Sequence, residues 1–322
     1  MGSHHFKYGI KHEIAIRWPL WDLKYSNQVA KKIDFGIADQ AIFSLLNQGK
    51  PALIGRLGGT EARFLKEFKK ITSSRYSSKL LFRTKPNWRK RSEQMNSLAG
   101  FYFENLDQVE EFYNIYQQAM LKTDVFGAWG TTFASIEFEL IDKIDHFIPK
   151  EFTAPWVSPY SENQLSIPWS KGMQGRKILV ISHFVDTIEK QFAKIEKVFP
   201  GSNCHNFQLT TLKSPFTANT EVPAAKSWLQ NLVEIQNQMK LIDFDVALIS
   251  AGSYSYPLAH FSKEIGKIGI HTGGGLQLFF GIMGRRWENS EYLFNQLNKE
   301  WCRPSELEKP KNIDRIEGGA YW

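Results

Sequence analysis

Short apolar segments, each followed by a glycine- or serine-containing turn and then a helical pattern, constrain the fold of this chain more than any other feature. The clearest segments are residues 52–54, 177–184, 246–250 and 268–271, and residues 124–130 also read as a short buried strand. Apolar runs of this length are typical of strands that are buried on both faces of a parallel sheet. Their alternation with helical patterns predicts an α/β fold with a Rossmann-like, mainly parallel sheet flanked by helices.

Helical periodicity fills the intervals between these runs. Apolar side chains recur three and four residues apart over three ranges, and we predict helices there: 38–46 (ending near Gly49), 106–120 and 222–240. A further helix is expected to begin at Pro257.

Several polar residues are predicted to cap helices. Thr60 is placed to cap the helix after the first strand, and Asp186 or Thr187 the helix after the run 177–184. Asp107 and Glu110 resemble a capping box.

Length and composition indicate one large domain. With 322 residues, 42% of them hydrophobic, the chain can bury a substantial core. We interpret residues 1–37 as an N-terminal arm and 38–322 as a single α/β domain, with a hinge near 155–175. No apolar run approaches the roughly 20 residues that cross a bilayer, and no signal-peptide pattern follows the start. We therefore expect a cytoplasmic protein.

The basic charge favours an anionic partner. The net charge is +7, and basic residues interleaved with aromatic ones concentrate between Arg63 and Arg91. This segment predicts peripheral contact with an anionic membrane or a polyanionic acceptor, although a solvated basic face has the same pattern. Nucleic acid is not expected, because zinc-finger, RNP-like and basic heptad patterns are absent. Cys204 and Cys302 lack metal-ligand spacing and read as reduced thiols.

The first strand-turn-helix unit has the form of a ligand-binding loop. Gly58 and Gly59 permit close backbone approach, Arg56 supplies a cation and Glu61 supplies a carboxylate. Free amides at the start of the following helix suit a phosphate group. A packed turn with a solvated carboxylate would show the same residues.

Later strand ends add further candidates. Ser250, Gly252 and Ser253 follow one predicted strand, and His271 and Gly273 lie at the end of the next. Because the carboxyl ends of parallel strands meet at one edge, these loops together predict a phosphate-bearing ligand.

Two histidines and an aspartate are the candidate bases. His183 and His271 titrate near neutral pH when unperturbed, although a histidine at a strand end often serves only as a hydrogen-bonding residue. Asp186 lies three residues after His183. The motifs GxGxxG, GxxxxGK[ST] and GxSxG are absent, which disfavours a standard NAD site, a P-loop kinase and a serine hydrolase.

Near the carboxyl terminus, Arg285 and Arg286 could neutralise a diphosphate while Trp287 stacks on a base or a sugar. An amphipathic helix over 276–283, ended by Gly284, is the alternative interpretation.

Several segments in fixed order resemble a family of bacterial polysaccharide-biosynthesis proteins, which are distantly similar to the GT-D-fold glycosyltransferases. The resemblance covers roughly residues 38–322 and rests on these segments: IGRLGGTEARFL, NSLAGFY, DVFGAWG, PWSKGMQGRKILVISHFVDTIEKQ, ALISAGSYSYPLAHFSKEIGKIGIHTGGGLQLFFGI and EGGAYW.

The GT-D family carries an Arg-x-Gly-Asp-Gly-Glu motif that serves the metal and the nucleotide sugar. Arg56, Gly58 and Glu61 match it, whereas Gly59 stands at the position of the aspartate. The resemblance therefore implies a nucleotide-sugar site, while Mn²⁺ or Mg²⁺ dependence stays open with Glu61 as the only candidate ligand. In the family, a later segment closes over the nucleotide of the donor. Residues 250–271 of this chain are similar to that segment, and they include Ser250, Gly252, Ser253, Lys263 and His271.

The resemblance implies a glycosyltransferase that moves sugar from a UDP- or GDP-sugar to a surface polysaccharide, a glycan or a lipid-linked oligosaccharide. Arg285, Arg286, Lys263 and nearby backbone amides would meet the charge of the leaving group. Glu61 would hold the donor or act as a base, and Asp186 or His183 is the alternative base. The alternatives are a pyruvyl or phosphoglycosyl transferase, or a non-catalytic nucleotide-sugar-binding assembly protein.

Overall fold

A seven-stranded sheet, parallel at every pairing, forms the centre of the molecule. The fold is thus α/β and Rossmann-like, as the sequence pattern predicts. The structure is a computed structural model that describes residues 20–34, 36–72, 86–130, 134–140, 142–153, 169–202, 204–222, 224–290, 297–310, 313 and 318–322.

The strands lie in the order β3-β2-β1-β7-β6-β4-β5. Strands from both sides of the predicted hinge therefore belong to one sheet. Their bounds are β1 Ala52–Arg56, β2 Val125–Ala128, β3 His146–Pro149, β4 Lys177–Ser182, β5 Gln208–Lys213, β6 Val246–Ser250 and β7 Ile268–His271.

Alternate residues of each central strand enter two different apolar layers. In β1, Leu53 packs into one layer, while Ala52 and Ile54 pack into the other, because successive side chains of a strand point to opposite faces. Helices cover both layers, which is why the central strands read as continuous apolar runs.

The helices are arranged on the two faces of the sheet. Helices α3, α5, α9 and α10 contribute to the layer that contains Leu53, and α2, α7, α8 and α11 to the other layer. Their bounds are α1 Leu20–Lys32, α2 Ala38–Gln48, α3 Gly59–Thr72, α4 Pro86–Gln94 (continued by a π-helix, Met95–Ala99), α5 Leu106–Leu121, α6 Ala134–Glu137, α7 Val185–Phe192, α8 Ile195–Val198, α9 Trp228–Lys240, α10 Ser255–Glu264 and α11 Leu276–Phe279.

The strands predicted from apolar runs are confirmed, and two others were missed. Strands β6 and β7 have the predicted bounds, and β4 ends at Ser182 rather than at Phe184. Strand β5 was missed because it lies at the edge of the sheet and its polar sequence, QLTTLK, has no apolar run. Strand β3 was missed because its sequence, HFIP, has only two apolar residues before Pro149.

Two predicted helix caps and one predicted helix start are wrong, whereas the predicted start of α5 at Leu106 is confirmed. Helix α3 begins at Gly59, so Thr60 lies inside its first turn and is not the N-cap. Asn105 caps α5 by accepting a hydrogen bond from the Gln108 amide, in place of a box formed by Asp107 and Glu110. Helix α10 begins at Ser255, two residues before Pro257.

Two other helix bounds also differ from the prediction. Helix α9 begins at Trp228 rather than at Val222, because Ser227 and Gln230 form a capping box there. Helix α11 ends at Phe279, because Gly281 adopts a φ of 68° and turns the chain before Gly284. The predicted end of α2 is confirmed by Gly49, whose left-handed conformation caps the helix.

Parts of three predictions lie outside the described residues. Residues 154–168 of the hinge are among them, whereas Trp169 is fully buried against the α2 face of the core. In the basic segment, Arg75, Lys79, Arg83 and Lys85 lie outside the described residues. The N-terminal arm is described from Leu20 onward and contains α1. Within the described ranges, no helix is both long and apolar enough to span a bilayer.

We predict that Ser227→Ala lowers the free energy of unfolding by about 1 kcal/mol, because the α9 capping box loses its side-chain acceptor. Chemical denaturation would measure the change. Ser44→Ala is the matched control, because Ser44 is exposed in the interior of α2 and caps no helix there. Equal losses in both variants would contradict the assigned cap.

Candidate functional site

The carboxyl ends of β1, β6 and β7 bring three predicted loops together. These loops are residues 57–60, 251–254 and 272–275, and the strands are neighbours in the sheet. After β1 the chain continues to β2, which lies on one side of β1. The residues after β7 instead pack against β6, which lies on the other side of β7. In open α/β sheets, ligands bind at the carboxyl edge in the crevice that such a change of direction forms.

Residues 272–275, the glycine loop, have the backbone geometry of an anion-binding turn. Thr272 is right-handed, with φ −84° and ψ −20°, and Gly273 follows with φ 57°. This succession turns neighbouring amides toward one point, and the first amides of the short helix 273–275 have no partner within that helix. The buried Thr272 hydroxyl donates to the Ile249 carbonyl at 2.9 Å and fixes the loop on β6.

The Arg56 guanidinium lies directly against the glycine loop. Its Nη2 donates to the Thr272 carbonyl at 3.0 Å, and its Nη1 donates to the Lys150 carbonyl at 3.1 Å. A Cβ at Gly273 would collide with this guanidinium, so only glycine permits the approach. A permanent positive charge is thereby held beside the turned amides.

His271 holds the Arg56 backbone in place. Its Nδ1 donates to the Arg56 carbonyl at 2.8 Å. Burial, reinforced by the Arg56 charge, lowers the pKa of His271 to about 3. The imidazole is therefore neutral at physiological pH and buried, so it holds β1 and β7 together and is poorly placed to act as the predicted base or as a direct ligand contact.

Glu61 faces the same edge from the first turn of α3. Its side chain is 7% exposed and folds back over Gly58, where a Cβ would collide with the carboxylate. Burial first, and then the charge of Glu61, raises the pKa of Tyr116 well above its ordinary value. The Tyr116 hydroxyl donates to the Ser253 carbonyl at 2.7 Å, so Glu61 and the loop after β6 lie on two sides of one tyrosine.

The loop after β6 presents backbone rather than side chains. Gly252 is exposed and has a φ of 55°, and a Cβ there would lie 2.8 Å from the Ala99 carbonyl of the π-helix. Single π-turns inside helices are frequent at functional sites. Ser253 is fully buried and accepts a hydrogen bond from Trp228 Nε1 at 2.9 Å, so its hydroxyl has a structural partner. Ser250 is partly exposed at the end of β6.

His183 and Asp186 lie at the end of β4, two strands from the glycine loop. His183 Nε2 donates to the Glu308 carbonyl at 2.8 Å, and burial lowers the pKa of this histidine. The Asp186 side chain is exposed and lies 3.5 Å from Lys213 Nζ. The structure therefore does not bring either candidate base next to Glu61.

Neither Asp186 nor Thr187 caps α7. The cap is Glu308, which is 2% exposed and accepts from the Asp186 amide at 2.9 Å and from the Thr187 hydroxyl. A carboxylate that lies 122 residues further along the chain thus accepts hydrogen bonds at the amino terminus of the helix. Sequence reasoning missed it, because no local pattern links Glu308 to this helix.

Lys263 lies at the opposite edge of the sheet. Helix α10 runs back from the end of β6 to the start of β7, so its last turn reaches the amino edge. There Lys263 Nζ donates to the Asp124 carboxylate at 2.7 Å and to the Lys122 carbonyl at 2.7 Å. It is not part of the assembled site.

Arg285 and Arg286 hold residues 318–322. Arg285 donates to the Gly318 carbonyl at 3.1 Å, and Arg286 donates to the Tyr321 hydroxyl at 2.8 Å and lies over its ring. Tyr321 in turn packs against Gly274, where a Cβ would collide with its ring. The two exposed cations therefore lie beside the glycine loop rather than within it.

Sequence reasoning also missed Trp129, Glu137 and Lys150. Trp129 Nε1 donates to the Leu57 carbonyl at 2.8 Å and so fixes the backbone just before Gly58. The Glu137 carboxylate accepts from the Trp129 and Gly130 amides at 2.7 and 3.0 Å, and burial raises its pKa to about 7. Lys150 Nζ lies 4.0 Å from the Trp129 ring centroid. In the sequence, the only indication of these contacts was that Trp129 directly follows a strand.

The donor set does not fit a divalent metal held by the protein alone. Among the described residues, no three His, Cys, Asp or Glu side chains converge as metal ligands do. At the loop itself Glu61 is the one carboxylate, since Gly59 has no side chain. Mg²⁺ and Mn²⁺ take about six oxygen ligands, and one carboxylate supplies at most two of them.

Comparison with known proteins adds no assignment: no family model, no curated protein and no solved structure matches this chain.

We predict that His271 makes stability depend on pH below neutrality. Its pKa is lowered on folding, so its contribution is complete above about pH 6.5 and falls as the pH drops toward 3. The slope approaches about 1.4 kcal/mol per pH unit. His271→Asn keeps a donor for the Arg56 carbonyl without titrating in this range and should flatten the slope in denaturation curves.

His146→Asn is the matched control, because His146 is exposed at the start of β3. It should leave the slope unchanged. A His271→Asn curve parallel to that of the wild type would contradict the assigned role.

Proposed function

We propose that this chain is a GT-D-type glycosyltransferase that moves a sugar from a UDP- or GDP-sugar to a bacterial surface polysaccharide or another glycan acceptor. The observation that carries the proposal is the glycine loop, whose turned amides lie beside the Arg56 guanidinium. Amides and arginine together suit a diphosphate. Glu61, in the first turn of α3, supplies a carboxylate that can accept a hydrogen bond from a sugar hydroxyl.

In the proposed reaction, an acceptor hydroxyl oxygen forms a bond to the anomeric carbon while the bond from that carbon to the phosphate oxygen breaks. The departing UDP or GDP gains negative charge, and Arg56 and the amides of Gly273 and Gly274 meet it. Glu61 accepts the proton of the acceptor hydroxyl, or it binds a sugar hydroxyl and the departing diphosphate takes that proton. Arg285 and Arg286 add positive electrostatic potential from their positions next to residues 318–322. No step passes through a metal held by the protein.

The acceptor and location remain part of the proposal. A glycan or lipid-linked oligosaccharide is the acceptor that fits the resemblance, at the inner face of the membrane. Lys70 on α3 and Lys90 on α4 are exposed and support peripheral contact with anionic lipid. Lys69 and Arg89 contribute less, because Glu139 and Glu93 pair with them.

A second candidate is a protein that binds nucleotide sugars without transferring them. Gly59 favours it, because the family motif has an aspartate at this position. Binding would then be retained, while release of UDP or GDP from the sugar would stay at the uncatalysed rate.

We predict that calorimetry detects binding of at least one UDP- or GDP-sugar, with or without Mn²⁺. Glu61→Gln should reduce nucleotide release by roughly hundredfold if Glu61 is the base, as general bases contribute at least this factor. Release would be measured with a bacterial lipid-linked oligosaccharide fraction as the acceptor.

Glu67→Gln is the matched control, since Glu67 lies on the same helix outside the site. Equal activity of the two variants would remove Glu61 from the mechanism. Binding without release would favour the second candidate, and no binding of any nucleotide sugar would refute both.

A further inference from the structure

Four aromatic rings meet at the carboxyl ends of β4 and β5. His183 lies 4.8 Å from Phe216, and Trp322 lies 4.8 Å from Phe184 and 6.2 Å from Phe216, measured between ring centroids. We call these residues the aromatic cluster. His183, Phe216 and Trp322 are partly exposed, so a ligand can reach their rings.

The aromatic cluster contains a polar atom that folding leaves unsatisfied. Trp322 Nε1 is buried and has no hydrogen-bond acceptor within the described part of the chain. A buried N–H without an acceptor costs free energy, and native proteins satisfy nearly all such groups. An acceptor on a bound ligand would satisfy this one.

The aromatic cluster lies beside the glycine loop. Tyr321 packs against Gly274, and the next residue, Trp322, belongs to the cluster. Strands β7 and β4 are separated only by β6, so two strand spacings place their ends about 10 Å apart. A nucleoside diphosphate is long enough to extend from a phosphate at the glycine loop to a base at the cluster.

Charge argues against a phosphate at the end of β4. The amides that begin α7 are bound to the Glu308 carboxylate, which is a built-in anion at this position. A second anion would meet repulsion there. The uncharged, flat part of a nucleotide fits this end of the crevice better than its phosphates do.

We propose that Phe216 and Trp322 form the subsite for the nucleobase of the donor. Phe216 provides the stacking ring, and the Trp322 indole turns on binding so that its buried Nε1 donates to an acceptor on the edge of the base. The inference rests on the proposed function, and it places the base over β4 and β5 and the diphosphate over β7.

Calorimetry with UDP, GDP and inorganic pyrophosphate tests the subsite. Phe216→Leu should weaken binding of the better nucleotide by roughly tenfold, the range found for loss of base stacking, and leave pyrophosphate affinity unchanged. Trp322→Phe keeps a ring but removes the N–H, and should weaken the nucleotide by roughly fivefold. Phe192→Leu is the matched control, because Phe192 is half-buried at the far end of α7.

Each other outcome overturns the subsite in a recognisable way. Equal losses for nucleotide and pyrophosphate would place both rings in a general structural role. Tighter nucleotide binding by Trp322→Phe would show that the indole competes with the base. Wild-type binding of pyrophosphate as tightly as UDP and GDP would remove the base subsite, although the diphosphate site would stand. Failure of the wild type to bind any of the three probes would refute the proposed function as well.

Discussion

The Arg56 guanidinium joins the ends of three strands, and the geometry of the candidate site depends on it. It extends from the end of β1 and binds carbonyls that follow β3 and β7. A planar group with five fixed donors can bridge two carbonyls in this way, which a lysine ammonium on its flexible stem does less well. His271 completes the link through the Arg56 carbonyl. One side chain therefore carries the positive charge of the site and fixes the positions of the loops around it.

Much of the fold could be predicted from local pattern, because buried parallel strands leave a direct trace in sequence. The bounds of β6 and β7 follow from their apolar runs alone. Strand β5 could not be predicted, since an edge strand has one partner and tolerates polar residues. Helix starts were less predictable, because a cap is a specific hydrogen bond and several nearby residues offer one, as Asn105 and Asp107 illustrate.

The candidate site was predictable only where residues adjoin strand ends. Gly58, Glu61, Gly252 and Gly273 reach the carboxyl edge for this reason. Lys263 follows the same strand as Gly252, yet the length of α10 carries it to the opposite edge. Trp129 and Glu308 were missed, because their partners lie 72 and 122 residues away, and such contacts exist only once the sheet has assembled. The absence of an acid at Gly59, by contrast, is visible in the sequence. Under the proposed function, arginine and backbone amides would therefore meet the charge of the leaving group.

The capping of α7 by Glu308 has a consequence for the order of events during synthesis. Strand β4 and α7 leave the ribosome before Glu308 does, so the first amides of the helix remain hydrated until Glu308, 122 residues after Asp186, has been added. The nascent chain therefore lacks the interaction that fixes the β4 end, and this corner reaches its final state only when residues 305–308 dock upon it. The crevice would then acquire its finished shape last, after the sheet that supports it.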